Sequence, residues 1–315
     1  MNRKAIIISI SKTKLTTKEK LMIKKEKPWG IILFKRNIND FNQVKKLINS
    51  IRTLMNDKKY PILIDEEGGR VSRLQKLINT KIFSQKYFGD LFDQNNKASL
   101  KLFELYNLSI IKILKDLGIN INTIPVLDLL YKKTHAIIGN RSFSKKIDVI
   151  KLLGSFASKV YHKNKLGTVI KHIPGHGKAL SDSHLKLPKI TKKLKYLKKN
   201  DFECFKGVKS FFAMTAHVLY TNIDDQNCAT HSKKIINNII RKQIGFKGII
   251  ISDYISMKAL KYNLVLNAKK SLDAGCNLVL YCSGKYSESK KLLKNMPLID
   301  RFTQKKTSEF YRFLS

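Results

Sequence analysis

Eight short runs of apolar, largely β-branched residues recur along this chain, separated by stretches long enough for helices, and few folds accept that rhythm. The runs are AIIISI (5–10), GIILF (30–34), PILID (61–65), INTIPVLDL (121–129), GTVIKH (167–172), FFAMTAH (211–217), GIIIS (248–252) and NLVLYC (277–282). Near-continuous apolar strands are what a parallel sheet buried on both faces requires. Between them lie amphipathic candidates at 42–55, 98–117, 147–164 and 233–244. The alternation predicts an α/β fold, a single (β/α)8 TIM barrel spanning 1–315 as one domain. The competing architecture is an open doubly wound sheet, but no glycine-rich dinucleotide loop follows the first run. No low-complexity linker or abrupt change in composition argues for a second domain.

Where the runs end carries more information than the runs. Asp65, Asp128, the pair Lys171–His172, His217 and Asp253 all fall at or just past C-terminal strand ends. Barrel enzymes build their sites at that face. Any one of these residues is as readily a strand terminator or a helix cap as a functional group. Five of them on one rim point to catalysis.

After the fifth run comes KHIPGHGKALSDSH (171–184), in which Pro174, Gly175 and Gly177 stop both strand and helix. The result is a loop long enough to reach over the barrel mouth, carrying His172, His176, His184 and Asp182. Asp182 and His184 are two apart, a spacing that joins them in a turn but not on a helix. A carboxylate bonded to an imidazole fixes the ring's tautomer and favours its protonated form. Metal binding by His172, His176 and His184 is the rival reading, although their spacing matches no zinc pattern. Asp253, directly after GIIIS, is either an N-cap for a helix over 254–262 or a nucleophile. Asp65 is followed by Glu66, Glu67, Gly68, Gly69 and Arg70, and the paired glycines would allow a backbone to approach a ligand closely.

The formal charge of +39 raises the question of nucleic acid. The lysines are spread along the whole chain and no nucleic-acid motif accompanies them, so the expectation is a solvated surface with no nucleic-acid partner. The field should still draw anions towards the site. Cys204, Cys228, Cys276 and Cys282 form no CxxC pair, as expected of reduced, structural thiols. The apolar run near the N-terminus, Ala5–Ile10, is too short for a signal peptide, and no stretch reaches the length of a membrane span. These features predict a soluble cytoplasmic protein with no membrane partner.

At its loops the chain resembles the bacterial β-N-acetylglucosaminidases of glycoside hydrolase family 3, the branch known as NagZ. KHIPGHGKALSDSH is close to that branch's K-H-F-P-G-H-G-x(4)-D-S-H, and DEEGGRVSR (65–73) is similar to D-Q-E-G-G-R-V-x-R. IGNRSF (138–143), MTAHV (214–218) and ISDYISM (251–257) match further segments, from GIILFKRNI (30–38) to DAGCNLVLYC (273–282). The resemblance implies a retaining glycosidase acting on N-acetylglucosamine linked β-1,4 to 1,6-anhydro-N-acetylmuramic acid, with or without peptide. It implies Asp253 as nucleophile, His184 as acid/base and Asp182 as the group that orients it. Asp65, Arg73, Arg141, Lys171 and His172 would bind the sugar hydroxyls, and no cofactor or metal is implied. His217 lies in a family segment as either a sugar contact or a support. Three departures stand out: Tyr254 where the family has a second Asp, His231 at a normally apolar position, and Asn277, read as an exposed turn. The alternatives are a phosphorylase, whose neutral histidine would tolerate a phosphate acceptor, and a non-catalytic sugar-binding barrel.

Overall fold

In the computed structural model the described residues are 2–132, 134–179, 183 and 185–315. The elements are β1 (Lys4–Ile8), α1 (Thr17–Glu26), β2 (Pro28–Leu33), α2 (Phe41–Met55), β3 (Ile62–Ile64), α3 (Gln85–Gln94), α4 (Asn96–Leu117), β4 (Ile121–Asn122), α5 (Ile147–Lys163), β5 (Gly167–Ile173), β6 (Lys189–Ile190), α6 (Leu194–Lys199), β7 (Phe212–Thr215), β8 (Leu219–Tyr220), β9 (Ile249–Tyr254), α7 (Leu264–Ala274), β10 (Leu278–Tyr281), α8 (Tyr286–Asn295) and α9 (Arg301–Phe313). Eight strands close in the order β1-β10-β9-β7-β5-β4-β3-β2, all parallel, so the expected (β/α)8 barrel is what the chain forms. β6 and β8 pair separately as a short parallel ribbon.

The two-residue period of each strand sorts its side chains. Ala5, Ile7, Leu63, Ile121, Val169, Phe212, Met214, Ile249, Ile251, Leu278 and Leu280 share one cluster, the barrel interior. Phe310 of α9 belongs to the same cluster, and a Cβ at Gly167 would meet its ring at 2.8 Å, so α9 plugs one end of the barrel. The alternate residues, such as Ile6, Ile8, Ile62, Ile64 and Val279, pack outward with the helices. α2 is representative of those helices. Asp40 caps its start by accepting the Gln43 N–H, and Val44, Leu47, Ile48 and Ile51 form its buried stripe. Each such side chain contributes about 1.5–3 kcal/mol on burial.

Three expectations need correction. The run 121–129 yields only a two-residue strand; Pro125 offers no N–H to a ladder, and beyond it the Val126 N–H turns to Gln85 Oε1. The helix expected over 233–244 is present at Ile235–Gln243 but is wound as a π-helix. No helix occupies 254–262, where the chain runs in turns. Among the described residues no helix is long and apolar enough to cross a membrane.

Candidate active site

Following the inner face upward from the core leads to the functional groups. On β9, Ile249 and Ile251 point inward, so the period places Asp253 inward as well, above them. The same count lifts Asp65 above Leu63, Thr123 above Ile121 and Lys171 above Val169. These side chains converge on a cavity of ≈ 320 Å³ at the C-terminal end of the strands. Asp65, Arg73, Arg141, Lys171, His172 and Asp253 all line it. Of the five strand-end positions read from the sequence, Asp128 and His217 stand behind this lining.

Lys171 is 2% exposed and is held by three partners. Its Nζ lies 2.5 Å from Glu67 Oε1, 3.4 Å from Asp65 Oδ1 and 2.8 Å from Thr123 Oγ1, to which it donates. Thr123 donates in turn to Asp65, and Arg73 Nη2 reaches Asp65 Oδ2 at 3.1 Å. Arg141 grips Glu67 through both oxygens, at 2.8 and 2.9 Å. Burial alone would raise the Asp65 carboxyl, but Lys171 and Arg73 outweigh it and hold Asp65 well below the usual carboxylate range. Glu67 is held at about 2 by Arg141 and Lys171 against the same burial. Glu67, Thr123 and the Glu67-based pairing were missed from the sequence, because the Arg141 partner lies 74 residues away.

Asp128 has the matching role for the histidines. It is fully buried and accepts the backbone N–H of His176 at 2.6 Å and the ring Nδ1 of His172 at 2.6 Å. The other ring nitrogen of His172, Nε2, lies 3.3 Å from Arg141 Nη2. A guanidinium only donates, so at this contact Nε2 is the acceptor, and Nδ1 faces the Asp128 carboxylate. Burial alone would raise the Asp128 carboxyl, but its contacts with His172 and His176 outweigh it and hold Asp128 below its ordinary range. His176 also lines the cavity, and burial brings its ring down to about 4, Asp128 opposing.

Asp253 is half-buried, and its Oδ1 accepts the N–H of Tyr254 at 2.7 Å. With no helix after it, it is not an N-cap. His217 is buried, with Nδ1 2.7 Å from Thr230 Oγ1 and Nε2 3.0 Å from the Tyr254 carbonyl oxygen. It braces the backbone beside Asp253 and does not line the cavity. Gly68 and Gly69 do not face the cavity either. Their φ of +80° and +59° turn the chain, and a Cβ at Gly68 would stand 2.1 Å from the Phe83 carbonyl oxygen. That corrects the expected approach to a ligand. Asn277 is not an exposed turn: its Oδ1 accepts the Ile250 N–H and Arg241 Nη2, both at 2.8 Å. His231 is satisfied by the Asn267 carbonyl oxygen at 3.1 Å, and Tyr254 lines the cavity edge beside Tyr281.

Asp182 and His184 lie outside the described residues. Of their loop, His176 and Ser183 line the cavity, so it does reach the barrel mouth. Among the described residues no group of three His, Cys, Asp or Glu side chains is placed to hold a metal, and the third histidine considered, His184, is not among them. The cavity sets Asp65, Glu67 and Asp253 against Arg73, Arg141 and Lys171, with Arg70 exposed at its edge. Balanced, fixed donors and acceptors of this kind suit a neutral polyhydroxylated ligand.

The chain matches the family described as glycosyl hydrolase family 3 N terminal domain over residues 3–305. It is 30% identical over 300 residues to a beta-hexosaminidase of Methylobacillus flagellatus, covering 92% of this chain and 83% of that protein. A beta-hexosaminidase of Chromobacterium violaceum is 32% identical over 286 residues, covering 89% and 79%. NagZ from Neisseria gonorrhoeae, solved in complex with N-trifluoroacetyl-D-glucosamine, superposes with a TM-score of 0.88 at 28% identity, covering 100% of this chain and 91% of that one. With a closed barrel and a charge-balanced cavity at its C-terminal rim, this chain belongs to glycosyl hydrolase family 3 and is a glycoside hydrolase.

Proposed function

We propose that this hydrolase is a retaining exo-β-N-acetylglucosaminidase of the cytoplasm, acting as a single-domain barrel over 1–315. Its substrate is a cell-wall fragment, N-acetylglucosamine linked β-1,4 to 1,6-anhydro-N-acetylmuramic acid, with or without peptide. The observation that carries the reading is Asp253, half-buried on the inner face of β9, lining one cavity with Asp65, Arg73, Arg141, Lys171 and His172. A relative with the same fold holds a glucosamine derivative, which supports the choice of sugar.

In this mechanism the terminal sugar lies against Asp65, Arg73, Arg141, Lys171 and His172. The Asp253 carboxylate attacks the anomeric carbon as the glycosidic C–O bond breaks. His184, oriented by Asp182, gives its proton to the leaving oxygen. The same imidazole then takes a proton from water, whose oxygen displaces Asp253 and releases the sugar with retained configuration. A histidine replaces the second carboxylate of the usual glycosidase pair. Incubation with the disaccharide, followed by mass spectrometry, tests the proposal. Free N-acetylglucosamine and the anhydro sugar are expected. Sugar 1-phosphate formed in phosphate buffer would move the assignment to phosphorolysis, and an unchanged disaccharide would sink it.

A further inference from the structure

A buried carboxyl that plays no part in this chemistry lies directly beneath the histidine loop. Asp201 is fully buried; its Oδ2 accepts the Tyr131 hydroxyl at 2.7 Å, and its Oδ1 has no partner among the described residues. The backbone passing over it is the start of the loop. Gly175, with φ +138°, lies so close that a Cβ there would stand 2.8 Å from Asp201 Cβ. Burial raises the Asp201 carboxyl to about 6, with Tyr131 and Lys178 opposing and Asp128 adding to it. The Tyr131 phenol is pushed up by burial and by Asp201, and so stays a donor.

The segment that begins at Tyr131 holds the loop at regular intervals. Thr134 Oγ1 accepts the Tyr131 N–H at 2.6 Å and donates to the Gly177 carbonyl oxygen at 2.8 Å. The His135 N–H reaches the Ala179 carbonyl oxygen at 3.3 Å. The Tyr220 hydroxyl donates to the Gly175 carbonyl oxygen, so every second carbonyl from 175 to 179 is held. The Lys178 ammonium sits 3.6 Å above the Tyr131 ring. At the far side of the loop the Ala259 N–H donates to the Ser183 carbonyl oxygen at 3.2 Å.

We propose that Tyr131 and Asp201 are positioning residues for the reaction: anchored on the buried carboxyl, Tyr131 joins Thr134 and His135 in a splint that fixes the chain over Gly175–Ala179, which sets His176 in the cavity and leads on towards His184. A splint of this kind acts on proton delivery to the leaving group and leaves the sugar-binding wall alone. The kinetic consequence rests on the reading of His184 as the general acid; the structural consequence does not.

The test compares Tyr131→Phe, Asp201→Asn and Thr134→Val in the full chain. Thr134 is half-buried, so its change severs the hold on Gly177 without disturbing the buried carboxyl. Misplacing a reacting group by about an ångström costs on the order of 10²-fold. The disaccharide kcat should therefore fall about 10- to 100-fold with KM nearly constant, and less with a nitrophenyl glycoside. Amide exchange at 175–184 should accelerate while exchange in β3 and β5 is unchanged. Faster exchange with equal kinetic losses on the two substrates would keep the splint and remove the general-acid role of His184. Unchanged exchange in the loop, or a rise in KM at constant kcat, would overturn the proposal.

Discussion

On one side of the barrel mouth, β3, β4 and β5 bring in Asp65, Thr123 and Lys171, which are tied to one another; Arg73 adds to Asp65, and Lys171 reaches Glu67, which holds Arg141. Across the barrel, β7, β9 and β10 contribute Met214, Asp253 and Leu280, with Cys282 just beyond. Here the Asp253 charge is felt by Arg141 and His176 across the cavity, and the Cys282 thiol is pushed well up by burial and by the charges of Asp65 and Asp253. The first wall has its charges matched before any ligand arrives, so hydroxyl groups would meet donors and acceptors that need no rearrangement. On the proposed reading the second offers the nucleophile, Asp253, whose charge inside a largely buried cavity would meet a developing cation. Binding and bond cleavage are thus assigned to different walls, and mutations on the two walls should separate them.

The largest effect is expected on the second wall. Asp253→Ala should lower turnover by about 10⁴-fold or more, the scale of removing a covalent nucleophile, with the melting temperature nearly unchanged. Near-normal turnover would dissolve the contrast between the walls. The next effect is selective. His184→Ala should cost about 10²–10⁴-fold on the disaccharide, whose leaving oxygen needs a proton. In the single-turnover glycosylation step a nitrophenyl glycoside should suffer distinctly less, and a nitrophenol burst should follow, because deglycosylation still needs the base. Equal losses on both substrates would rule out general-acid catalysis. Asp182→Ala should show the same split in milder form.

The first wall predicts a different signature. Glu67→Gln leaves Lys171 and Arg141 buried with one carboxylate fewer, and breaking a buried pair in this way costs about 3–5 kcal/mol. Urea unfolding should show that loss. In the folded fraction KM for the sugar should rise more than kcat falls. A kcat-only loss would place Glu67 in the chemistry and blur the division.

How far the sequence reveals this arrangement depends on the range of each interaction. Asp253, Lys171 and Asp65 are legible because a two-residue period carries them to the inner face of strands whose apolar members are unmistakable. Glu66 and Glu67 are indistinguishable neighbours in the sequence, yet they part in space. Glu66 takes the hydroxyls of Ser72 and Thr80 and the N–H groups of Arg73 and Leu74, organising a local turn, whereas Glu67 turns to Arg141. Asp128 marks a strand end, but its grip on His172 spans 44 residues and is set by barrel closure, which no local spacing encodes. Asn277 misleads for the same reason: Ile250 reaches it from the neighbouring strand β9 and Arg241 from the π-helix Ile235–Gln243.

The smallest expected effect concerns acid, and it distinguishes the charged wall of Asp65 and Glu67 from the histidines. His176 has Nδ1 buried without a partner among the described residues, and burial holds its ring at about 4, below the ordinary 6.5. His162 and His231 are brought to about 4 by burial as well. A histidine with a depressed folded pKa binds its proton more readily when unfolded. Its stabilisation is therefore present above pH 6.5 and is lost as pH falls towards 4. Glu67, held at about 2 where an ordinary carboxyl titrates at 4.5, keeps its contribution until pH drops below 4.5, and Asp65 behaves likewise from 3.8 downward. Stability should thus decline in two stages, first through the histidines and then through the wall. His176 alone should account for about 1 kcal/mol between pH 7.5 and 5.5, from the proton taken up on unfolding. Urea unfolding across that interval should give a shallower pH slope for His176→Gln than for the parent, whatever the variant's stability at neutral pH. Equal slopes would show that His176 takes up its proton as readily in the folded state, and would return the acid response entirely to the other histidines.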